Sequence, residues 1–196
     1  MKSSDTIKRV VVDIVGPPGS GKSKLCADLR QEYGFEIYRP SDVIRAYARA
    51  HNIALSGRQD YVTCHEALNA EDPDAIPRPA LESTAQYLCV DGMRSPIPFL
   101  TLRQKIGAKL IYLECPPEIR LERIRADDER SGHRRIITLE SLLADEAADD
   151  VNMSRNVANM VEMRQLADYV IDASKPYTQV WEAVCDTIRK LQEANT

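Results

Sequence analysis

No apolar stretch of this 196-residue chain approaches the ~20 residues that a membrane-spanning helix needs. Met1-Lys2-Ser3-Ser4-Asp5-Thr6 carries no apolar signal core, so secretion is not expected and the reading is a cytoplasmic protein. Paired cysteines are missing too. The five present (Cys26, Cys64, Cys89, Cys115, Cys185) are scattered, with no C-x-x-C step, and read as reduced, buried thiols rather than a disulfide framework or zinc site. Positive charge is not in excess: 26 Lys and Arg stand against 30 Asp and Glu, a net charge of -4, which gives no support for a nucleic-acid partner. There is no internal repeat and no low-complexity tract, so residues 1–196 read as one domain, long enough to bury a core.

What is present is a phosphate cradle. Gly16-Pro17-Pro18-Gly19-Ser20-Gly21-Lys22-Ser23 fits G-x-x-x-x-G-K-[ST]. The β-branched run Val10-Val11-Val12-Asp13-Ile14-Val15 leads into it, and a helix-compatible stretch from Lys22 to Tyr33 follows, the strand–loop–helix context the motif requires. The glycines let successive backbone N–H groups turn inward around a phosphate, and the helix N-terminus adds partial positive charge. Lys22 is then expected on the β- and γ-phosphates of ATP, and the Ser23 hydroxyl on Mg²⁺.

Beyond the loop, strands alternate with helices. Strands are expected at 9–15, 35–38, 87–91, 109–114 and 169–172, and helices at 22–33, from Ser41-Asp42 to about His51, at 96–106, 117–125, 138–149, 153–165 and 176–193. Residues 52–80, broken by Asp72-Pro73 and Pro77-Arg78-Pro79, read as short helices and loops. The pattern implies an α/β fold, a doubly wound five-stranded parallel sheet whose ligands sit beyond the carboxyl ends of its strands.

Three further segments carry chemistry. In Ser41-Asp42-Val43-Ile44-Arg45, Arg45 suits an acceptor phosphate, although spacing alone favours a solvated helix arginine; Asp42 is either a helix cap or a general base. In Val90-Asp91-Gly92-Met93-Arg94, Asp91 at a strand end suits Mg²⁺, Gly92 allows close approach, and Arg94 faces the same crevice. Arg120, Arg123, Arg125, Arg130, Arg134 and Arg135 form a set around Ser131-Gly132-His133, of which two or three are expected to act from a lid on the transferring phosphoryl group, the rest being solvated charge. Tyr61, His65 and Arg78 read as core or surface residues rather than pocket lining. The chain has no Asn-Lys-x-Asp step, which disfavours a GTPase switch.

These pieces, with Glu122-Arg123-Ile124-Arg125, occur in the order found in nucleoside monophosphate kinases, and the chain resembles that group, of which adenylate kinase is the familiar member. Within it, Pro116-Pro117-Glu118-x-Arg120 and Ala167-Asp168-Tyr169-Val170-Ile171-Asp172 resemble little-characterised archaeal and bacterial proteins labelled dephospho-CoA kinase-like or adenylate kinase-like. The resemblance implies a three-layer α/β/α P-loop kinase fold with an acceptor flap at about 41–85 and a short lid at about 126–136. It implies Lys22 on the donor phosphates, Ser23 and Asp91 around Mg²⁺, and Arg45 and Arg94 on the acceptor phosphate. It further implies Arg123 over the donor, with Arg125 and Arg130 reaching the transferring group. Two departures bear on the acceptor. Met93 joins Arg94 with no intervening proline, and Pro96-Ile97-Pro98-Phe99 stands where adenylate kinases read adenine with glutamine.

The expectation is a monomeric or homodimeric, ATP- and Mg²⁺-dependent kinase acting on a nucleotide-like small molecule, with no nucleic-acid or membrane partner. Two alternatives stay open: a dephospho-CoA kinase-like enzyme phosphorylating a hydroxyl, and a nucleotide-sensing module without turnover. A polynucleotide 5′-end kinase is disfavoured for want of a basic, aromatic-lined groove.

Overall fold

A computed structural model describes residues 9–130, 137–150 and 158–194. Five strands, β1 (Val10–Val15), β2 (Glu36–Tyr38), β3 (Tyr87–Asp91), β4 (Lys109–Glu114) and β5 (Tyr169–Asp172), form one sheet in the order β2-β3-β1-β4-β5. Every pairing is parallel. β1 is buried along its whole length, as a β-branched central strand covered on both faces must be. Its side chains alternate between two cores. Val10, Val12 and Ile14 meet Leu25, Cys26 and Leu29 of α1 (Lys22–Tyr33) and Val180, Val184 and Ile188 of α9 (Tyr177–Ala194). Val11 and Val15 meet the opposite layer, where α2 (Pro40–Ala50), α3 (Arg58–Glu71), α4 (Arg78–Glu82), α5 (Pro96–Ile106) and α8 (Met160–Gln165) contribute Ile44, Leu68, Ala80, Phe99 and Met163. The remaining helices are α6 (Pro117–Arg130) and α7 (Leu139–Asp150).

Four expectations need correcting. α2 begins at Pro40, with Arg39 in extended backbone ahead of it, rather than at a Ser41-Asp42 cap. Proline's fixed φ suits the first helical position and displaces the cap by a residue or two. Residues 58–71 are one 14-residue helix, not short pieces. Packed against α2, it buries Cys64, His65 and Leu68 among its described side chains, too narrow a stripe to stand out from its polar remainder. α6 continues through Asp127-Asp128-Glu129 to Arg130, so only 131–136 of the expected lid, including His133, Arg134 and Arg135, lies outside the described residues. The helix expected at 153–165 begins at Met160, where Asn159 caps it by accepting from the Glu162 N–H at 3.0 Å; residues 151–157 lie outside the described residues.

Candidate active site

The loop between β1 and α1 is shaped by what its glycines leave empty. A Cβ on Gly16 would sit 2.7 Å from the Leu113 carbonyl oxygen, and one on Gly19 2.8 Å from that of Arg120. Gly19 also holds φ at +76°, which side chains rarely adopt. Lys22 turns back over this loop and donates from Nζ to the Gly16 carbonyl (2.6 Å) and the Pro17 carbonyl (3.0 Å). Burial, with the Arg94 charge beside it, lowers its pKa to about 7. Its hydrogen bonds go to backbone carbonyls, and the Asp91 charge offsets only part of the shift. A phosphate in the cradle supplies the counter-charge that restores the ammonium.

Arg120 braces the loop from behind. Only 3% exposed, its guanidinium donates to the Cys115 carbonyl (2.9 Å) and the Pro18 carbonyl (3.2 Å) and pairs with both carboxylate oxygens of Glu146 on α7.

In front of the loop lies a cavity of about 1300 Å³. Single-ligand pockets occupy roughly 300–1,000 Å³, so there is room for a donor and an acceptor together. Gly19, Lys22 and Ser23 line one end; Arg39 enters from the link between β2 and α2, Ser41 and Arg45 from α2, and Tyr61, Val62 and His65 from α3. Asp91, Gly92 and Arg94 arrive from the end of β3, while Arg123, Asp127 and Arg130 enter from α6.

Among the residues picked out in the sequence, Lys22, Ser23, Arg45, Asp91, Arg94, Arg123 and Arg130 meet around this cavity, together with Pro18 to Gly21. Gly16 and Pro17 stand behind the cradle and receive Lys22. Asp42 does not join them. Its side chain is 62% exposed, and its carboxylate accepts from Arg45 Nη1 at 2.7 Å. Arg125 is outside too: on the exposed side of α6, its Nε and Nη2 donate to the Ile137 carbonyl at 3.1 and 2.7 Å. Arg78 pairs with both oxygens of Asp72 at the surface, as a surface residue should. Tyr61 and His65, expected in core or surface roles, line the cavity.

Arg45 is held by three single contacts, to Asp42, to Ser41 Oγ (3.0 Å) and from Nε to Tyr61 Oη (3.2 Å). Arg123 approaches Cys115 Sγ at 3.6 Å, and Arg130 at the exposed rim pairs with Asp127 at 3.2 Å. His65 is 9% exposed, and its Nε2 has no partner among the described residues. Burial lowers its pKa to about 4, so the ring is neutral at ordinary pH.

Two residues of the site went unremarked in the sequence. Asp13, with 0% exposure on β1, accepts the Met93 N–H on Oδ1 at 3.1 Å. Burial raises its pKa well above the usual carboxylate value, and the Asp91 charge adds to this. Asp13 ties the Gly92-Met93 turn to the central strand. Gly92 holds φ at +83°, and a Cβ there would lie 3.8 Å from Lys22 Cε. The signal was a lone carboxylate in an otherwise apolar run. The second residue is Arg39, whose Nε donates to Asp91 Oδ2 at 3.1 Å; its signal was its place at the carboxyl end of a strand.

The donor set of Ser23 and Asp91, hard oxygens at one side of the cradle, fits Mg²⁺ held by one or two protein ligands plus phosphates. No cluster of three or more His, Cys, Asp or Glu side chains suited to a metal occurs among the described residues, so the oxygens of a nucleotide would have to complete the shell.

A P-loop at the end of the central strand of a parallel sheet, facing arginines across a two-ligand cavity, defines the class: a P-loop small-molecule kinase. The AAA domain family matches residues 15–143. A UPF0200 protein of Methanothrix thermoacetophila is 35% identical over 129 residues, covering 62% of this chain and 70% of that protein. An adenylate kinase of Tropheryma whipplei is 25% identical over 187 residues, covering 91% of this chain and 97% of that enzyme. Among solved structures, a shikimate kinase from Acinetobacter baumannii in complex with shikimate has a TM-score of 0.58 at 17% identity, covering 97% of this chain and 96% of that one, a likeness of fold. The chain belongs to the AAA domain family and groups with the UPF0200 proteins.

Proposed function

We propose that this kinase transfers the γ-phosphoryl group of Mg·ATP to a nucleotide-like acceptor that already bears a phosphate, a nucleoside monophosphate. The observation that carries the reading is the pair Arg45 and Arg94, lining the same cavity as Lys22 and Ser23, with space for two ligands. Guanidinium forks suit the oxygens of a phosphate monoester. Lys22 leaves the Gly16 and Pro17 carbonyls for the donor phosphates. Ser23 and Asp91 hold the metal, which neutralises developing charge when bound. Arg123 and Arg130 approach from α6 on the donor side. Phosphoryl transfer asks little of a protein beyond positioning and charge, and this set supplies both.

The identity of the adenylate kinase relative supports a nucleoside monophosphate, whereas the shikimate kinase likeness extends only to the fold. Asp42, the carboxylate that the hydroxyl-kinase alternative called on, pairs with Arg45 outside the cavity wall, which disfavours that alternative. Lys22, Ser23 and Asp91 together favour turnover over sensing alone.

The test is ADP release from Mg·ATP against nucleoside monophosphates, deoxynucleotides, dephospho-CoA, shikimate and a no-acceptor control. Stimulation by a nucleoside monophosphate well above the control is expected. Stimulation by dephospho-CoA or shikimate alone moves the protein to the hydroxyl kinases, and an acceptor-independent rate sinks the proposal.

A further inference from the structure

Arg39 occupies a position fixed by the fold rather than by its own contacts. Parallel pairing sets Tyr38 beside Val90, so the next residues, Arg39 and Asp91, leave the sheet side by side at its carboxyl edge. Pro40, buried at the start of α2, then turns the chain and keeps Arg39 at the cavity mouth. Its side chain is 45% exposed, against 10% for Asp91.

It meets Asp91 by a single contact, as Arg164 meets Glu114 at the end of β4, but Arg39 does so at the cavity mouth. Arg120 and Arg78 each grip a carboxylate with two N–H groups. Arg39 uses Nε alone, and neither Nη has a partner among the described residues. A one-armed contact is weaker and less directional than a two-armed one, so it is the easier to exchange. This one keeps the fork unengaged while lining the same cavity as Arg45 and Arg94.

We propose that Arg39 is a third acceptor-phosphate arginine, parked on Asp91 until the metal-bearing donor arrives. The inference rests on the reading of Asp91 as a metal ligand and of the acceptor as a phosphate monoester. With a divalent cation bound, the Asp91 carboxylate would be committed to it, and Arg39 would lose its partner and be left beside a like charge. Arg39 then turns its fork to the dianionic phosphate beside Arg45 and Arg94. Donor and acceptor become coupled through one side chain: Mg·ATP releases the arginine that the acceptor needs, and by reciprocity the acceptor helps the metal to bind.

The coupling makes a prediction with opposite signs. With Arg39→Ala or Arg39→Gln, Asp91 loses its competitor, so less Mg²⁺ supports half-maximal binding of a non-hydrolysable ATP analogue. The same variants weaken nucleoside monophosphate binding about tenfold, the scale of one charged hydrogen bond. Calorimetric titration of the monophosphate, with and without the Mg-loaded analogue, reads both arms without turnover. Wild type is expected to bind the monophosphate about fivefold tighter or better when the Mg-loaded analogue is present, and the variants to show no such gain. If both ligands weaken together, or neither changes, Arg39 only supports the loop and the proposal falls while the kinase reading stands. If wild type binds no nucleoside monophosphate under either condition, the acceptor reading falls and takes this inference with it.

Discussion

The two ends of the cavity are built differently. At the donor end, backbone sets the shape: Gly16 and Gly19 pass where no Cβ fits, Lys22 is satisfied by loop carbonyls, and Arg120 locks the rear through Glu146. One exception is the buried Ser20 hydroxyl, which has no partner among the described residues. At the other end, which we propose for the acceptor, side chains set the shape and hold one another loosely. Among the described residues, Arg39 uses one N–H, Arg45 leans on three single contacts, and His65 keeps a buried nitrogen without a partner. A preformed cradle suits a donor whose triphosphate never varies, because preorganised donors need no rearrangement when charge develops. A loosely paired acceptor wall suits a ligand that must be recognised before it is enclosed.

Each half can be broken separately. The largest effect is expected for Lys22→Ala, which should lower kcat by about a thousandfold, the upper range for removing one donor aimed at developing charge. Far-UV circular dichroism should show the fold intact, and normal turnover would remove the P-loop from the mechanism. Next comes Glu146→Ala. It leaves the buried Arg120 charge without its carboxylate and should cost about 3 kcal/mol of stability in urea titration. A negligible loss would mean that the loop holds its shape unbraced.

Arg94→Ala sharpens the boundary between the halves. The acceptor KM should rise roughly tenfold or more, with ATP affinity little changed. If only ATP affinity suffers, Arg94 belongs to the donor end, where its charge already reaches Lys22. The smallest effect is expected at Asp13. Its folded pKa lies above the ordinary value of 3.8, so its contribution to stability is fully present below that pH and is lost as pH rises through the folded value. Asp13→Asn keeps an oxygen for the Met93 N–H and removes the titration. The variant's melting temperature should therefore gain on wild type as pH rises from about 4 to 8, and a pH-independent difference would refute the buried-carboxylate account.

How much was legible follows from the range of each signal. Strand, loop and helix around Gly16–Ser23 could be read because the motif is local: each glycine, the lysine and the serine act within eight residues. The five strands stood out because parallel strands covered on both faces are short apolar runs. Asp42 and Arg125 were misread for a shared reason. Each has the right type near the right place, but helix phase against the rest of the fold decides which way it faces, and residue type carries no record of that phase. In the sequence His65 reads as a core or surface residue rather than pocket lining, because α3 buries too narrow a stripe for periodicity to show which of its side chains face the cavity.

The sequence by itself determined that this chain binds a nucleotide phosphate on a parallel α/β sheet, since backbone conformation at a glycine loop and burial of β-branched runs depend on residues close in the chain. The tertiary structure alone decided which charges share the cavity. Arg39 meets Asp91 across 52 residues, Asp13 holds Met93 across 80, and Arg120 reaches Pro18 across 102. Such pairings are set by the arrangement of the strands and helices, which brings distant residues within hydrogen-bond reach; a local signal can mark one member but not name its partner.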